Sequence, residues 1–167
     1  MNIEEAIKTA IEYEIRIRDV YREAVTTVDD AVGKRIFDTL GQDEQRHIDF
    51  LEHKLEQFQQ TGAIQPERLE SAIPDQASIQ QEADKVKALT AKVFLGIKKQ
   101  MLSKALEAEI ETSGYYQKMV NELPAESRPL FEQFLEIENN HIKAVQFELD
   151  YIGKTGYWFD FKEFDME

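Results

Sequence analysis

The sequence contains no cysteine. Disulfides, thiolate zinc sites and cysteine-ligated iron–sulfur or rubredoxin-type centres are therefore excluded. Only 7 glycines and 4 prolines occur in 167 residues, few enough breakers to favour an all-helical domain. No uncharged apolar run is long enough to span a membrane. The stretch MNIEEAIKTA lacks the basic-then-apolar layout of a signal peptide, so a cytoplasmic location is expected. Positive charge is also scarce: 20 basic against 33 acidic residues give a net charge of −13. That sign repels phosphate backbones, which argues against a nucleic-acid partner, and it suits a protein that attracts cations.

What is present is helical periodicity. A first helix is expected from Ile3 to Val28, with Asn2 as N-cap and Glu5 at the capping-box position. Its stripe reads Ile3, Ile7, Ala10, Glu14, Ile17, Tyr21, Ala24, Val28, and only Glu14 breaks its apolar or aromatic character. Asp29 and Asp30 make a turn and cap a second helix, which ends near Thr61-Gly62. Residues 62–96 form a crossover, with Pro66 and Pro74 in its first part and a short helix near 77–93. A third long helix carries Leu102, Ala105, Glu109, Thr112, Tyr116 and Met119 and reaches the turn at Leu123-Pro124. The fourth carries Phe131, Phe134, Glu138, His141, Val145 and Ile152. One domain over 1–152 is expected, with an aromatic and acidic tail over 153–167.

The second helix holds DTLGQDEQRHIDFL, where Glu44 and His47 stand on a stripe marked by Leu40 and Leu51. The fourth repeats the pattern in FEQFLEIENNHIKAV, with Glu138 and His141. The two helical pairs form an internal repeat. EIRIRDVY at 14–21 matches EIETSGYY at 109–116 at Glu, Ile and the last Tyr, and Phe37 and Phe131 precede their glutamates by seven residues. Glu14 and Glu44 each lie 15 residues from Asp29, so in an antiparallel hairpin both stand ~22 Å from the turn. Glu109 and Glu138 straddle Leu123-Pro124 in the same way. If the crossover returns the chain along the bundle, the third long helix runs parallel to the second. All four carboxylates then meet near mid-height.

Four carboxylates buried at one level repel and lose hydration. Two divalent cations would offset the four charges, with two imidazoles completing the shell; spacing i, i+3 lets each Glu and His reach one ion. Oxygen and imidazole ligands without sulfur suit iron or manganese, whereas zinc usually takes fewer ligands in a closed tetrahedron. The alternative on the same residues is a set of buried, mutually hydrogen-bonded polar groups without metal.

On these residues the chain resembles the ferritin-like di-iron carboxylate superfamily, and within it the rubrerythrin-like erythrin domain, over roughly residues 3–152. The resemblance implies an all-α, ferritin-like four-helix bundle with its long crossover between helices 2 and 3. It implies two half-sites, Glu14, Glu44, His47 and Glu109, Glu138, His141, holding two iron ions (or manganese, or a mixed pair), with Glu44 and Glu138 shared by or close to both. Tyr21 and Tyr116 match family tyrosines whose hydroxyls hydrogen-bond the opposite carboxylate. The implied function is a non-haem di-iron oxidoreductase of ferroxidase or peroxidase type, reacting with O₂ or peroxide. Its electrons must come from an external redox protein, since no cysteine is present to build a rubredoxin module. A further family glutamate of the peroxidase type is replaced by Thr112, which weakens the peroxide-reducing role. The rival functions are iron storage or metal buffering of ferritin type, and an oxygenase acting on an organic molecule.

Other residues receive plainer readings. Glu12, Glu107 and His53 are expected at the surface, and Phe37, Phe134 and the methionines in the core. The tail aromatics Tyr157, Trp158, Phe159, Phe161 and Phe164 are expected to cap the bundle end or a partner subunit, which fits a homodimer or larger homo-oligomer. GKT at 153–155 is not a phosphate loop, because the required earlier glycine is Glu148.

Overall fold

The computed structural model describes residues 1–86 and 96–159. Among them the chain is all-helical: α1 Ile3–Thr27, α2 Ala31–Thr61, α3 Gln76–Val86, α4 Gly96–Glu122 and α5 Arg128–Thr155. No described helix is long and apolar enough to cross a membrane.

Local chemistry sets the ends. Asn2 accepts from the Glu5 amide at 2.9 Å while its own amide donates to Glu5 Oε2 at 3.2 Å, a reciprocal capping box. Asp30 caps α2 by accepting from the Gly33 amide at 2.6 Å. Gly62 closes α2 at φ 72°, a left-handed conformation that glycine adopts without steric cost. Gly156, at φ 76°, closes α5 in the same way. The tail therefore starts after Gly156, not at the expected Gly153: Gly153 is helical, and the stop falls where the left-handed cap is. The helix expected over 77–93 is seen as α3 to Val86; 87–93 lie outside the described residues, as do Phe161 and Phe164 of the tail.

Cross-links fix the directions. Gln59 near the end of α2 donates to Glu4 at the start of α1, so the two are antiparallel. Tyr115 donates to the Ala6 carbonyl and Lys104 to Glu23, so α4 also runs antiparallel to α1 and hence parallel to α2. Ser113 Oγ meets Asn139 Oδ1 at 2.8 Å between α4 and α5. The crossover lies along the helices: Leu69 donates to Gln133, and Ile73 and Ile79 are buried in the core.

The apolar interior forms two clusters. One holds Ile17, Phe37, Leu40, Leu102 and Val145; the other holds Ile7, Leu51, Met119, Phe131 and Phe134. Burial of these side chains, at ~25 cal/mol per Å² of apolar surface, is the main stabilising term. Trp158 and Phe159 of the tail pack on the first cluster, as a cap to this chain's own helices, whereas Tyr157 is exposed. Met101 and Met119 are core residues; Met1 is not, being 65% exposed, and Met166 lies outside the described residues. Glu12, Glu107 and His53 are exposed as expected.

Candidate metal centre

Four helices each contribute to one polar layer, with Glu14 on α1, Glu44 and His47 on α2, Glu109 on α4, and Glu138 and His141 on α5. All six have no exposed surface. Each stands where the helical stripe meets the interior, so the periodicity that places its apolar neighbours inside places it inside too.

The geometry gives two overlapping groups of four, beside a third group of Asp43, His47 and His141. Glu14, Glu44, His47 and Glu138 offer ligand atoms within 4.8 Å of one another; so do Glu44, Glu109, Glu138 and His141. Glu44 and Glu138 belong to both. His47 Nδ1 lies 2.9 Å from Glu44 Oε2, 3.1 Å from Glu14 Oε2 and 3.4 Å from Glu138 Oε1. His141 Nδ1 lies 2.7 Å from Glu44 Oε1 and 3.4 Å from Glu109 Oε1. The two imidazoles stack with centroids 5.2 Å apart. Groups of this composition can hold a metal ion.

The tyrosines cross between the halves. Tyr21 of α1 donates to Glu109 Oε1 of α4, and Tyr116 of α4 donates to Glu14 Oε1 of α1. Burial, then the negative charge of the Glu109 and Glu44 carboxylates, pushes the Tyr21 phenol well above its ordinary value, so it stays a donor. Burial and Glu14 do the same for Tyr116.

The charge balance of the metal-free layer follows from the same contacts. Burial alone would push both imidazoles down. The Glu44 and Glu14 carboxylates outweigh it for His47, and Glu44 and Glu109 outweigh it for His141, so both are held well above the usual histidine range. Burial raises Glu138, and the charges of Glu14, Glu44 and Glu109 raise it further. Even so, Oε2 of Glu138 and Oε2 of Glu109 have no hydrogen-bond partner. Buried acceptors without donors are costly, and a cation satisfies several at once. The donor set, carboxylate and imidazole without sulfur, is one that could hold a metal ion.

One site residue was not among those expected from the sequence. Asp43 is fully buried, and its Oδ2 lies 2.8 Å from His141 Nε2. His47 Nε2 is 3.6 Å from the same oxygen, beyond hydrogen-bonding reach. Asp43 also accepts from Ser71 Oγ at 2.7 Å, the Ala72 amide at 3.2 Å and the Arg46 guanidinium. Burial would raise its carboxyl; the His141 and His47 imidazoles overcome this and hold it well below the carboxylate range. A fixed acceptor at Nε2 keeps a proton on that nitrogen and turns Nδ1 toward the carboxylates. The sequence signal was available: Asp43 is four residues before His47, hence on the same helix face. Thr112 is buried and spends its hydroxyl on the Ala108 carbonyl at 2.9 Å. Compared with known proteins, the chain matches no family model, no curated protein and no solved structure.

Proposed function

We propose that the chain is a ferritin-like, rubrerythrin-like four-helix bundle that holds two iron ions and reduces O₂ or peroxide with electrons from an external redox protein. The observation that carries this reading is the sharing of Glu44 and Glu138 between two otherwise separate ligand groups. Two carboxylates common to both groups are what a pair of neighbouring cations needs, and a single ion would leave half the layer uncompensated.

Glu14 and His47 would complete one position, Glu109 and His141 the other. Bound there, iron would supply the redox chemistry, one electron per ion, together the two that peroxide takes with two protons to become two waters. Asp43 orients His141 through Nε2 and leaves Nδ1 for the metal. Tyr21 and Tyr116 hold Glu109 and Glu14 in place and keep a phenol proton beside each. The apolar clusters on either side exclude water, which strengthens every charge interaction in the layer.

Anaerobic titration of metal-free protein with Fe²⁺ tests this directly. Saturation at two ions per chain and rapid oxidation on adding peroxide are expected. Failure to bind two ions, or binding without oxidation, overturns the reading. Uptake far beyond two per chain into a large closed oligomer would move it to iron storage.

A further inference from the structure

Three tyrosines run from the polar layer to the surface on one side of the molecule only. Tyr116, whose hydroxyl meets Glu14, has its ring centroid 5.8 Å from that of Tyr115. Tyr115 stacks on Tyr13 at 4.8 Å with an interplanar angle of 21°. Tyr13 is half-buried and carries the Arg16 guanidinium 5.0 Å above its ring. In the internal repeat Tyr116 corresponds to Tyr21, but the positions of Tyr115 and Tyr13 are taken by Val20 and Ala108. On that other side Tyr21 leads 6.3 Å to Phe37 and from there 5.5 Å to Trp158. Phenylalanine has no ionisable proton and is far harder to oxidise than tyrosine, so that line is interrupted. The repeat therefore holds the ligands in common and the tyrosine line on one side alone.

We propose that Tyr116, Tyr115 and Tyr13 form a one-electron relay that carries an oxidising equivalent from the metal pair to the surface at Tyr13. The inference rests on the di-iron reading above. It applies when peroxide meets a centre that has one divalent ion left to oxidise. Peroxide takes two electrons and two protons; the remaining ion gives one electron, and Tyr116 gives the other. The Tyr116 phenol proton passes to Glu14 along their hydrogen bond. One electron drawn through Tyr115 from Tyr13 refills Tyr116, and the proton returns from Glu14. Tyr115 donates its hydroxyl to the Ala6 carbonyl at 2.7 Å, a group that cannot take the proton away. Its ring conducts without resting as a radical. Tyr13 releases its phenol proton to water and ends as a neutral radical, which a thiol or ascorbate-class reductant restores with one electron and one proton. Both protons for peroxide come from water, where the proton released by Tyr13 replaces one of them. The consequence is that a damaging oxidant is spent at the surface, away from the buried ligands.

The test loads the protein with one Fe²⁺ per chain, adds peroxide with a nitroso spin trap, and maps the adducts by mass spectrometry. Adduct concentrated on Tyr13 is expected. Tyr13→Phe should abolish it, and Tyr115→Leu should lower it by roughly tenfold. Iron binding and the first ferrous oxidation should match wild type in both variants, since neither residue is a ligand. Adduct distributed by exposure and led by Tyr157, which is 76% exposed, would signify peroxide chemistry in solution and overturn the relay. So would adduct mainly on Trp158, or undiminished labelling in Tyr115→Leu. The wild-type map decides the matter even if Tyr115→Leu does not fold. Iron binding is measured on the same sample: its absence ends both readings, whereas binding and oxidation without Tyr13 adduct ends the relay alone.

Discussion

On α2 the residue before Glu44 is Asp43; on α5 the residue before Glu138 is Ile137. The two halves of the layer thus share Glu, Glu and His but not the group behind the imidazoles. Asp43 lies beside both rings, closer to His141 across the interface than to His47 on its own helix. Ile137 is simply packed, 7% exposed. The ends differ too: one half meets the Tyr115–Tyr13 stack, the other Phe37 and Trp158. The repeat preserves the buried carboxylates and imidazoles and diverges around them. The divergence shows which positions were free to take on separate roles.

The comparison can be broken most forcefully at the ligands. Glu14→Ala and Glu109→Ala each remove one terminal carboxylate, from opposite halves. Each is expected to reduce stoichiometry from two metals per chain to one or fewer by metal analysis. Each should also lose the metal-dependent rise in stability, ~2.7 kcal/mol at a free metal concentration 100 times Kd. Without metal, both variants should be less stable than wild type, because Glu14→Ala strands the buried Tyr116 hydroxyl and Glu109→Ala that of Tyr21. Unequal stoichiometry between the two would show that the halves are not equivalent.

Asp43→Asn addresses both halves at once. A loss of about 10–100-fold in metal affinity is expected by competition with a chelator. Wild-type affinity in this variant would show that Asp43 does not orient His141.

Acidity offers a third probe. In the metal-free chain His47, His141 and Glu138 have folded values raised above their ordinary ones. A raised value contributes stability that is fully present below the unfolded value and is lost as pH rises through the folded one. The metal-free chain should therefore begin to lose thermal stability above the unfolded glutamate value, about pH 4.3, through Glu138, and more steeply from about pH 6.5, the unfolded histidine value. Metal affinity should rise over the same range, because binding displaces those protons. Asp43 is depressed and works oppositely, contributing above its unfolded value and losing that contribution only in strong acid. A flat stability profile for the metal-free chain above pH 6.5 would contradict this balance.

The smallest expected effect lies at the Trp158 end. A Cβ on Gly33 would fall 2.9 Å from the Trp158 ring. Gly33→Ala should cost about 1–3 kcal/mol and shift the fluorescence of the single tryptophan to the red as the ring is displaced. Metal binding should be untouched, since that end of the molecule lies beyond Phe37 and Tyr21.

Much of this was legible in the chain because helical periodicity is local. A residue three or four places from an apolar neighbour shares its face wherever the helix goes, so Glu14, Glu44, His47, Glu109, Glu138 and His141 could be placed inside from spacing alone. The matched gaps about Asp29 and about Leu123-Pro124 placed them at one height. The Asn2 and Asp30 caps were legible for the same reason, since a cap acts over three residues. Asp43 was not placed, because it reads as one more acid in a charged sequence until His141 and Ser71 arrive from other elements. Nor was the stacking of Tyr13 on Tyr115, residues 102 positions apart, which depends on how α1 and α4 face one another.

By itself, then, the sequence determined that the chain is helical, where its helices cap and turn, and which six side chains stand on buried stripes. These follow from interactions reaching only a few residues along the chain. Only the tertiary structure decided that Asp43 stands behind His141, and that one side of the layer has a tyrosine line to the surface. Each of those depends on distances between helices of a few ångströms, and no spacing along a single helix encodes them.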